Sequence, residues 1–324
     1  MITILCGGTG AGKFLHGLQR AFGGRKASRA ITAIVNTGDD LVWWGLHVSP
    51  DLDSITYALA GMLNHERGWG VEGDTFECLA RIRALGAPGW FALGDRDLAT
   101  HLYRTGCLRE GMTLSEVTAE LAAKLRIPTR ILPMSNDRVE TRVLTEIGEL
   151  SFQEYFVRER YAVRVGSVRF VGATEARPAP GVLPAIAEAE AVVLAPSNPI
   201  TSIGPILAVP GIRQALATTR APVLAISPIV GNAAVSGPAG DLMRAHGLPV
   251  SAVGVAKAYC DFLDVLVMDT QDAALAPQVE ATDVRAHVCN TMMRDDATKE
   301  ALAREVLRVA KHTKFRPRER ATRS

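Results

Sequence analysis

No stretch of the 324-residue chain reaches 18 uninterrupted apolar residues, so no membrane-spanning helix and no membrane partner are expected. The opening, MITILCGGTGAGKF, has neither the basic start nor the longer apolar region of a secretory signal. Cysteine is sparse. Cys6, Cys78, Cys107, Cys260 and Cys289 are scattered, odd in number and form no C-x-x-C pair, which argues against a disulfide framework or a thiolate zinc site and for reduced thiols in the cytoplasm. The seven histidines form no H-x-x-x-H pair, so a zinc hydrolase is poorly supported.

Charge of one sign is also lacking: 36 Lys and Arg face 34 Asp and Glu, a formal net charge of +2. Residues 311–324 (KHTKFRPRERATRS) hold six basic residues and one acidic one, which leaves the rest of the chain at −3. A nucleic-acid-wrapping body needs a positive surface and not merely a positive end, so no nucleic acid is expected as partner. Any ligand phosphate must be met locally, by backbone amides, a metal or individual cations.

What is present is a hydrophobic content of 48%, enough for a large core, and the grammar of an α/β protein. Residues 1–6 read as a buried strand, followed by glycines and a helix over about 13–22, then a strand over 30–37 ending at Gly38-Asp39-Asp40. Asp53 and Asp74 stand where caps of two further helices belong, and helical periodicity continues over 97–105, 114–125 and 151–160, with two strands turning near Asn136-Asp137. Strand and helix alternation returns after 182 and ends in an amphipathic helix over 297–310. The expected fold is a doubly wound, mostly parallel Rossmann-like α/β sheet built from 1–50 and 185–290. A single domain then covers 1–310, with 51–180 an inserted, mostly helical substrate-covering region and 311–324 a flexible basic tail.

The loops at the C-terminal strand ends carry the chemistry. Gly7-Gly8-Thr9-Gly10-Ala11-Gly12-Lys13 has the glycines and lysine of a phosphate-binding loop, but Phe14 replaces the hydroxyl that holds magnesium in ordinary nucleoside triphosphatases. The loop also fails the G-x-G-x-x-G dinucleotide pattern. Asp39, Asp40, Asp51 and Asp53 put four carboxylates within fifteen residues, a set suited to a hard cation bridging a diphosphate, although helix capping accounts for one or two of them. Arg96, between Asp95 and Asp97, suits either a phosphate or ring-edge clamp or an internal ion pair. Two later loops offer uncharged donors: Ser197, Asn198, Thr201 and Ser202, then Ser227, Asn232, Ser236, Gly237 and Gly240. Trp43, Trp44, Trp69 and Trp90 serve either as core or as stacking surfaces for a flat heterocycle.

Taken in order, GGTGAGK, VNTGDD, SPDLD, RGWGVEGDTF, LGDRDLATH, LPMSNDRVET, FQEYFVR, APSNPITSIGPI, SPIVGNAAVSGPAG and KAYCDFLDV strongly resemble the 2-phospho-L-lactate transferase family of coenzyme F(420) biosynthesis. The resemblance implies a magnesium-dependent, homodimeric phosphotransferase. Such an enzyme moves a phospho-lactyl, phosphoenolpyruvyl or phosphoglyceryl moiety from a guanosine diphosphate adduct to the terminal hydroxyl of FO, a deazariboflavin, and releases GMP. Carried onto this sequence, it implies Asp40 and Asp53 as catalytic and metal-binding residues, with FO also at Asp53. Gly7, Gly8, Thr9, Gly10, Arg96, Asn198, Ser202, Ser236 and Gly237 then bind substrate. The NPITSIGPI and SGPAG loops incline the donor arm toward lactyl. A nonenzymatic nucleotide-binding regulator is the alternative, and the carboxylate cluster is what it leaves unexplained.

Overall fold

The computed structural model describes residues 1–24, 30–64 and 66–313; of the expected basic tail, 314–324 lie outside the described residues. The first half contains β1 (Ile2–Cys6), α1 (Gly8–Ala21), β2 (Ile31–Val35), β3 (Leu41–Trp43), β4 (Leu46–Val48), α2 (Pro50–Ala60), α3 (Glu77–Ala84), α4 (Asp95–Arg109), α5 (Leu114–Lys124) and β5 (Arg130–Pro133). Next come β6 (Glu140–Thr145), β7 (Gly148–Ser151), a π-helical turn over Glu154–Arg158, β8 (Val165–Val171), α6 (Val182–Ala187), β9 (Ala191–Leu194), α7 (Ile203–Ala208) and α8 (Ile212–Thr218). The remainder is β10 (Val223–Ile226), β11 (Ile229–Val230), β12 (Ala233–Ala234), α9 (Ala239–Ala245), α10 (Ala252–Tyr259), β13 (Val265–Asp269), α11 (Ala276–Glu280), β14 (Arg285–Cys289) and α12 (Asp296–His312).

Seven strands form one sheet in the order β14-β13-β10-β9-β1-β2-β5, every neighbouring pair parallel. β1 shows why: its five residues are all buried, with Ile2, Ile4 and Cys6 packed on one side and Leu5 on the other. A strand apolar on both faces needs helices over both, which is the doubly wound arrangement. Phe14 and Leu15 of α1, Leu52 and Ile55 of α2 and Leu302 of α12 cover the first side. Ile203, Leu216, Leu242 and Val255 from α7 to α10 belong to the core of the second.

Several local expectations are revised. The sheet also takes β5, a strand from within 51–180, as its edge, and β8 joins β6 and β7 in a separate three-stranded antiparallel sheet. The first helix begins at Gly8 and not near 13, because the glycines are helix residues pressed against neighbours: a Cβ on Gly12 would stand 3.3 Å from that of Ala58 in α2. Asp53 is no cap; it lies in the first turn of α2, its amide donating to the Ser49 carbonyl. Asp74 does not cap the helix that follows it. Instead, its carboxylate accepts the Arg96 and Asp97 amides of α4 (2.8 and 3.1 Å), while Asp95 accepts the Glu77 and Cys78 amides of α3 (both 3.0 Å). Each aspartate satisfies the other helix's orphan donors, so α3 and α4 are fixed as a pair.

Gly17 sits inside α1 where it crosses α12, and a Cβ there would collide with the Lys299 carbonyl oxygen. Gly-to-Ala inside a helix ordinarily stabilises by about 0.5–1 kcal/mol. Here the sign reverses: Gly17→Ala is expected to destabilise by about 1–3 kcal/mol through overpacking, read from urea unfolding. A more stable variant contradicts the packing described.

Candidate active site

The strand order reverses between β1 and β9, and the loops after these strands meet there, as doubly wound sheets require of a ligand crevice. Ser197, after β9, ties the loops together: its Oγ donates to the Gly7 carbonyl (2.8 Å) and accepts the Gly7 amide (3.3 Å). Side chains are excluded from the glycine loop by contact. A Cβ on Gly7 would strike the Asp51 carboxylate, and one on Gly10 would strike the Pro196 carbonyl oxygen.

Asp51 faces the start of α1. One of its oxygens accepts the Gly8 amide (2.7 Å) and the other the Asn36 side-chain amide (2.9 Å). The same Asn36 nitrogen donates to Asp39 Oδ2 at 3.0 Å, so a single amide group joins two buried carboxylates. Asp39 Oδ1 is buried without a hydrogen-bond partner. Burial, opposed by the Asn36 and Gly8 hydrogen bonds, pushes the Asp51 carboxyl up to about 6. Burial and then the Asp51 charge push Asp39 well above the usual carboxylate range.

Asp40 and Asp53 have other partners. Asp40 Oδ2 accepts the Ser49 hydroxyl (2.7 Å) and lies 3.1 Å from His47 Nε2; burial raises its carboxyl. Asp53 is gripped on both oxygens by Arg104 of α4, through Nη2 to Oδ1 and Nη1 to Oδ2, the latter at 3.1 Å. His101 stands 3.7 Å from Asp53 and 3.2 Å from Asp97, which accepts the Tyr57 hydroxyl at 2.7 Å. Burial, then Asp53 and Asp97, drive the Tyr57 hydroxyl well above its ordinary value.

A cavity of about 1080 Å³ opens over these groups. It brings together the expected Gly7, Gly8, Thr9, Gly10, Asp53, Asn198, Ser202, Ser236 and Gly237, together with Asp39 and Asp51. Asp40 and Arg96 do not line it. The Arg96 side chain is exposed and donates to the Glu72 carbonyl at 3.1 Å. Aromatic side chains from two segments line the cavity: Trp69, Trp90 and Phe91 from between α2 and α4, and Phe152 and Phe156 from in and just before the π-helical turn. Phe152 and Phe156 stack at 5.5 Å with planes 5° apart, and Phe156 lies 3.6 Å from where a Gly237 Cβ would be. Lys13, Arg67, Arg160 and Arg294 supply cations to the wall. Of these features Arg104 had a readable signal, since Asp97, His101 and Arg104 fall at i, i+4 and i+7 on one helix face. The choice of Asp51 over its neighbours had none, because which carboxylate meets the glycine loop is set by the close approach of α1 and α2.

Residues 2–311 match the 2-phospho-L-lactate transferase family. The chain belongs to this family. It is therefore a phosphotransferase of coenzyme F(420) biosynthesis. It is 46% identical over 97% of its length to 99% of a phosphoenolpyruvate transferase from Streptomyces griseus. To a 2-phospho-L-lactate transferase from Methanosarcina mazei it is 41% identical over 94% of its length and 98% of the relative. A crystal structure of a Bacillus halodurans protein shares the fold, with a TM-score of 0.64, 18% identity, and coverage of 94% of this chain and 98% of that one.

An acid whose folded-state pKa is raised keeps its proton longer in the folded than in the unfolded chain. The Asp51 contribution to stability therefore falls as pH rises from the unfolded value near 4 to about 6, and stays lower above that. Asp51→Asn is expected to gain about 1–3 kcal/mol relative to the parent chain between pH 4 and 7 in chelator-treated buffer, read by urea unfolding. The lost Asn36 contact offsets both ends of that range equally. A difference flat in pH contradicts the buried, unpaired charge at Asp51.

Proposed function

We propose that the cavity holds FO and a guanosine diphosphate adduct together, and that the transferase moves the adduct's three-carbon phospho arm to the terminal hydroxyl of FO with release of GMP. The observation that carries this reading is the convergence on one cavity of a glycine-lined helix start, a buried carboxylate pair and two aromatic walls. Its volume is at the upper end of single-ligand pockets, which fits two substrates of nucleotide size.

On this reading the guanosine diphosphate part lies along Gly7 to Gly10, Asn198, Ser202 and the Ser236-Gly237 loop, where only small side chains permit approach. The deazaflavin ring lies between aromatic faces, and its ribityl hydroxyl points to Asp53. The hydroxyl oxygen attacks the β-phosphorus, the bond from that phosphorus to the bridging oxygen of GMP breaks, and the hydroxyl proton leaves to solvent or to Asp53. Alignment and charge complementarity supply most of the acceleration, since a loose phosphoryl transition state needs little covalent help.

Among the described residues no group of three or more His, Cys, Asp or Glu side chains forms a metal cage. Magnesium does not need one; it is held by one or two carboxylates, with phosphates and water completing its shell. Asp39 and Asp51 fit that requirement: they are buried, and Asp39 has an oxygen with no donor. The proposal therefore places the cation at Asp39 and Asp51, with Asp40 behind them and Asp53, already taken by Arg104, facing FO. When bound, the cation neutralises charge on the transferring diphosphate.

The donor arm is proposed to be enolpyruvyl in preference to the lactyl arm that the loops suggest. Three Streptomyces phosphoenolpyruvate transferases are 45–47% identical to this chain, against 40–43% for three archaeal 2-phospho-L-lactate transferases. Competition among the lactyl, enolpyruvyl and glyceryl adducts at equal FO, read by product mass, is expected to favour the enolpyruvyl product. A lactyl preference reverses the arm and leaves GMP release intact. FO-dependent GMP release tests the reaction itself, and nucleotide binding without turnover would favour a regulator. Asp53→Asn is expected to lower turnover by about 100-fold with the fold retained, an effect of the size positioned polar groups produce. Near-normal turnover at saturating magnesium and substrates removes Asp53 from the mechanism.

A further inference from the structure

The carboxylate proposed to face FO is not free to take that role unaided. Asp53 is buried, and so is the Arg104 that clasps it, only 2% exposed. Arg104 reaches Asp53 from α4 while Asp53 sits in the first turn of α2, so one side-chain pair spans two helices 51 residues apart in sequence. The guanidinium is itself held. Nη1 lies 3.4 Å from His101 Nδ1 and 3.5 Å from the His47 carbonyl, and His101 Nε2 lies 3.2 Å from Asp97. Because a guanidinium can only donate, the Arg104 contact makes His101 Nδ1 an acceptor, while Nε2 lies close to Asp97 without a hydrogen bond to it. Although burial opposes its charge, the Asp53 carboxylate raises the Arg104 guanidinium above its ordinary value.

We infer that Arg104 is a positioning residue for the transfer reaction: it fixes the plane of the Asp53 carboxylate toward the cavity, and His101 and Asp97 fix Arg104. The inference rests on the functional reading above, since it is Asp53 at the acceptor hydroxyl that gives the clasp a consequence for rate. Two observations distinguish it from an ordinary internal ion pair. Asp53, Asp97 and His101 all line the cavity, so the network forms part of the substrate-facing wall and not only a strut behind it. The clasp is also two-pronged, one nitrogen to each oxygen, which sets orientation as well as charge. A lysine at 104 would supply the charge and lose the fork.

The test is steady-state kinetics of FO-dependent GMP release by the full chain, with magnesium and a guanosine diphosphate adduct, for the parent, Arg104→Lys and Arg104→Ala. The inference expects kcat to fall at least tenfold in Arg104→Lys and about 100-fold in Arg104→Ala, with KM for the guanosine adduct within threefold of the parent. Guanidinium ion at tens of millimolar is expected to recover Arg104→Ala at least tenfold and to leave Asp53→Asn unchanged. Arg104→Lys keeps the buried charge balanced, so it decides the matter if Arg104→Ala does not fold. Parent-like kcat in Arg104→Lys overturns the inference, as does a folded Arg104→Ala that guanidinium fails to rescue. A parent chain that releases no GMP with FO removes the functional reading, and this inference with it. Parent-like turnover in Arg104→Lys beside an active parent removes only the role of Arg104.

Discussion

Asp39 and Asp51 are buried side by side with one amide of Asn36 between them, and much of the site is arranged around that unfavourable pair. Burial disfavours the charged form of both, so both carboxyls are raised, and the Asp51 charge adds to the effect at Asp39. The sheet makes the pair unavoidable. Asn36 follows β2, its amide bonded to the Cys6 carbonyl of β1, while Asp51 rides on α2 against the glycine loop. Gly7 cannot carry a side chain without striking the Asp51 carboxylate, so the loop's sequence and the charge pair constrain each other.

Strain of this kind persists only when the surroundings over-determine it, and two devices do so here. Ser197 pins the Gly7 peptide from the β9 side, and Gln153, at the cap of the π-helical turn, donates to the Asp39 carbonyl at 3.2 Å. The second contact links the carboxylates to the wall bearing Phe152 and Phe156, so the proposed phosphate and ring subsites share a framework. Elsewhere along the cavity the reciprocal caps of Asp74 and Asp95 fix α3 to α4, and α4 carries Asp97, His101 and Arg104 into place.

The fold was legible because its strands are apolar on both faces and its glycine turns stand at strand ends. ITILC and AVVL admit few alternatives to a buried parallel strand. β5 was not legible as part of the main sheet, because RILP reads equally well in a hairpin and only the long crossover from β2 places it at the edge. The site was legible as a region: the acidic cluster and three donor loops do converge. Within the cluster, however, Asp40 and Asp53 differ from Asp39 and Asp51 only in their partners. Ser49, His47 and Arg104 come from turns and helices whose approach a linear sequence does not specify. Arg96 does not line the cavity, for a related reason. It shares a helix start with Asp97, but a one-residue step on a helix turns by about 100°, which sends its guanidinium to the Glu72 carbonyl and away from the cavity.

The central claim is that the buried pair, and not the adjacent Asp40 and Asp53, is where a divalent cation meets the diphosphate. Manganese anomalous scattering from crystals of the chain grown with guanosine diphosphate and FO tests it most directly. The account predicts one strong peak within coordination distance of both Asp39 and Asp51, with the Asp53–Arg104 clasp unbroken. A peak held by Asp40 and Asp53, with Arg104 displaced, would contradict it.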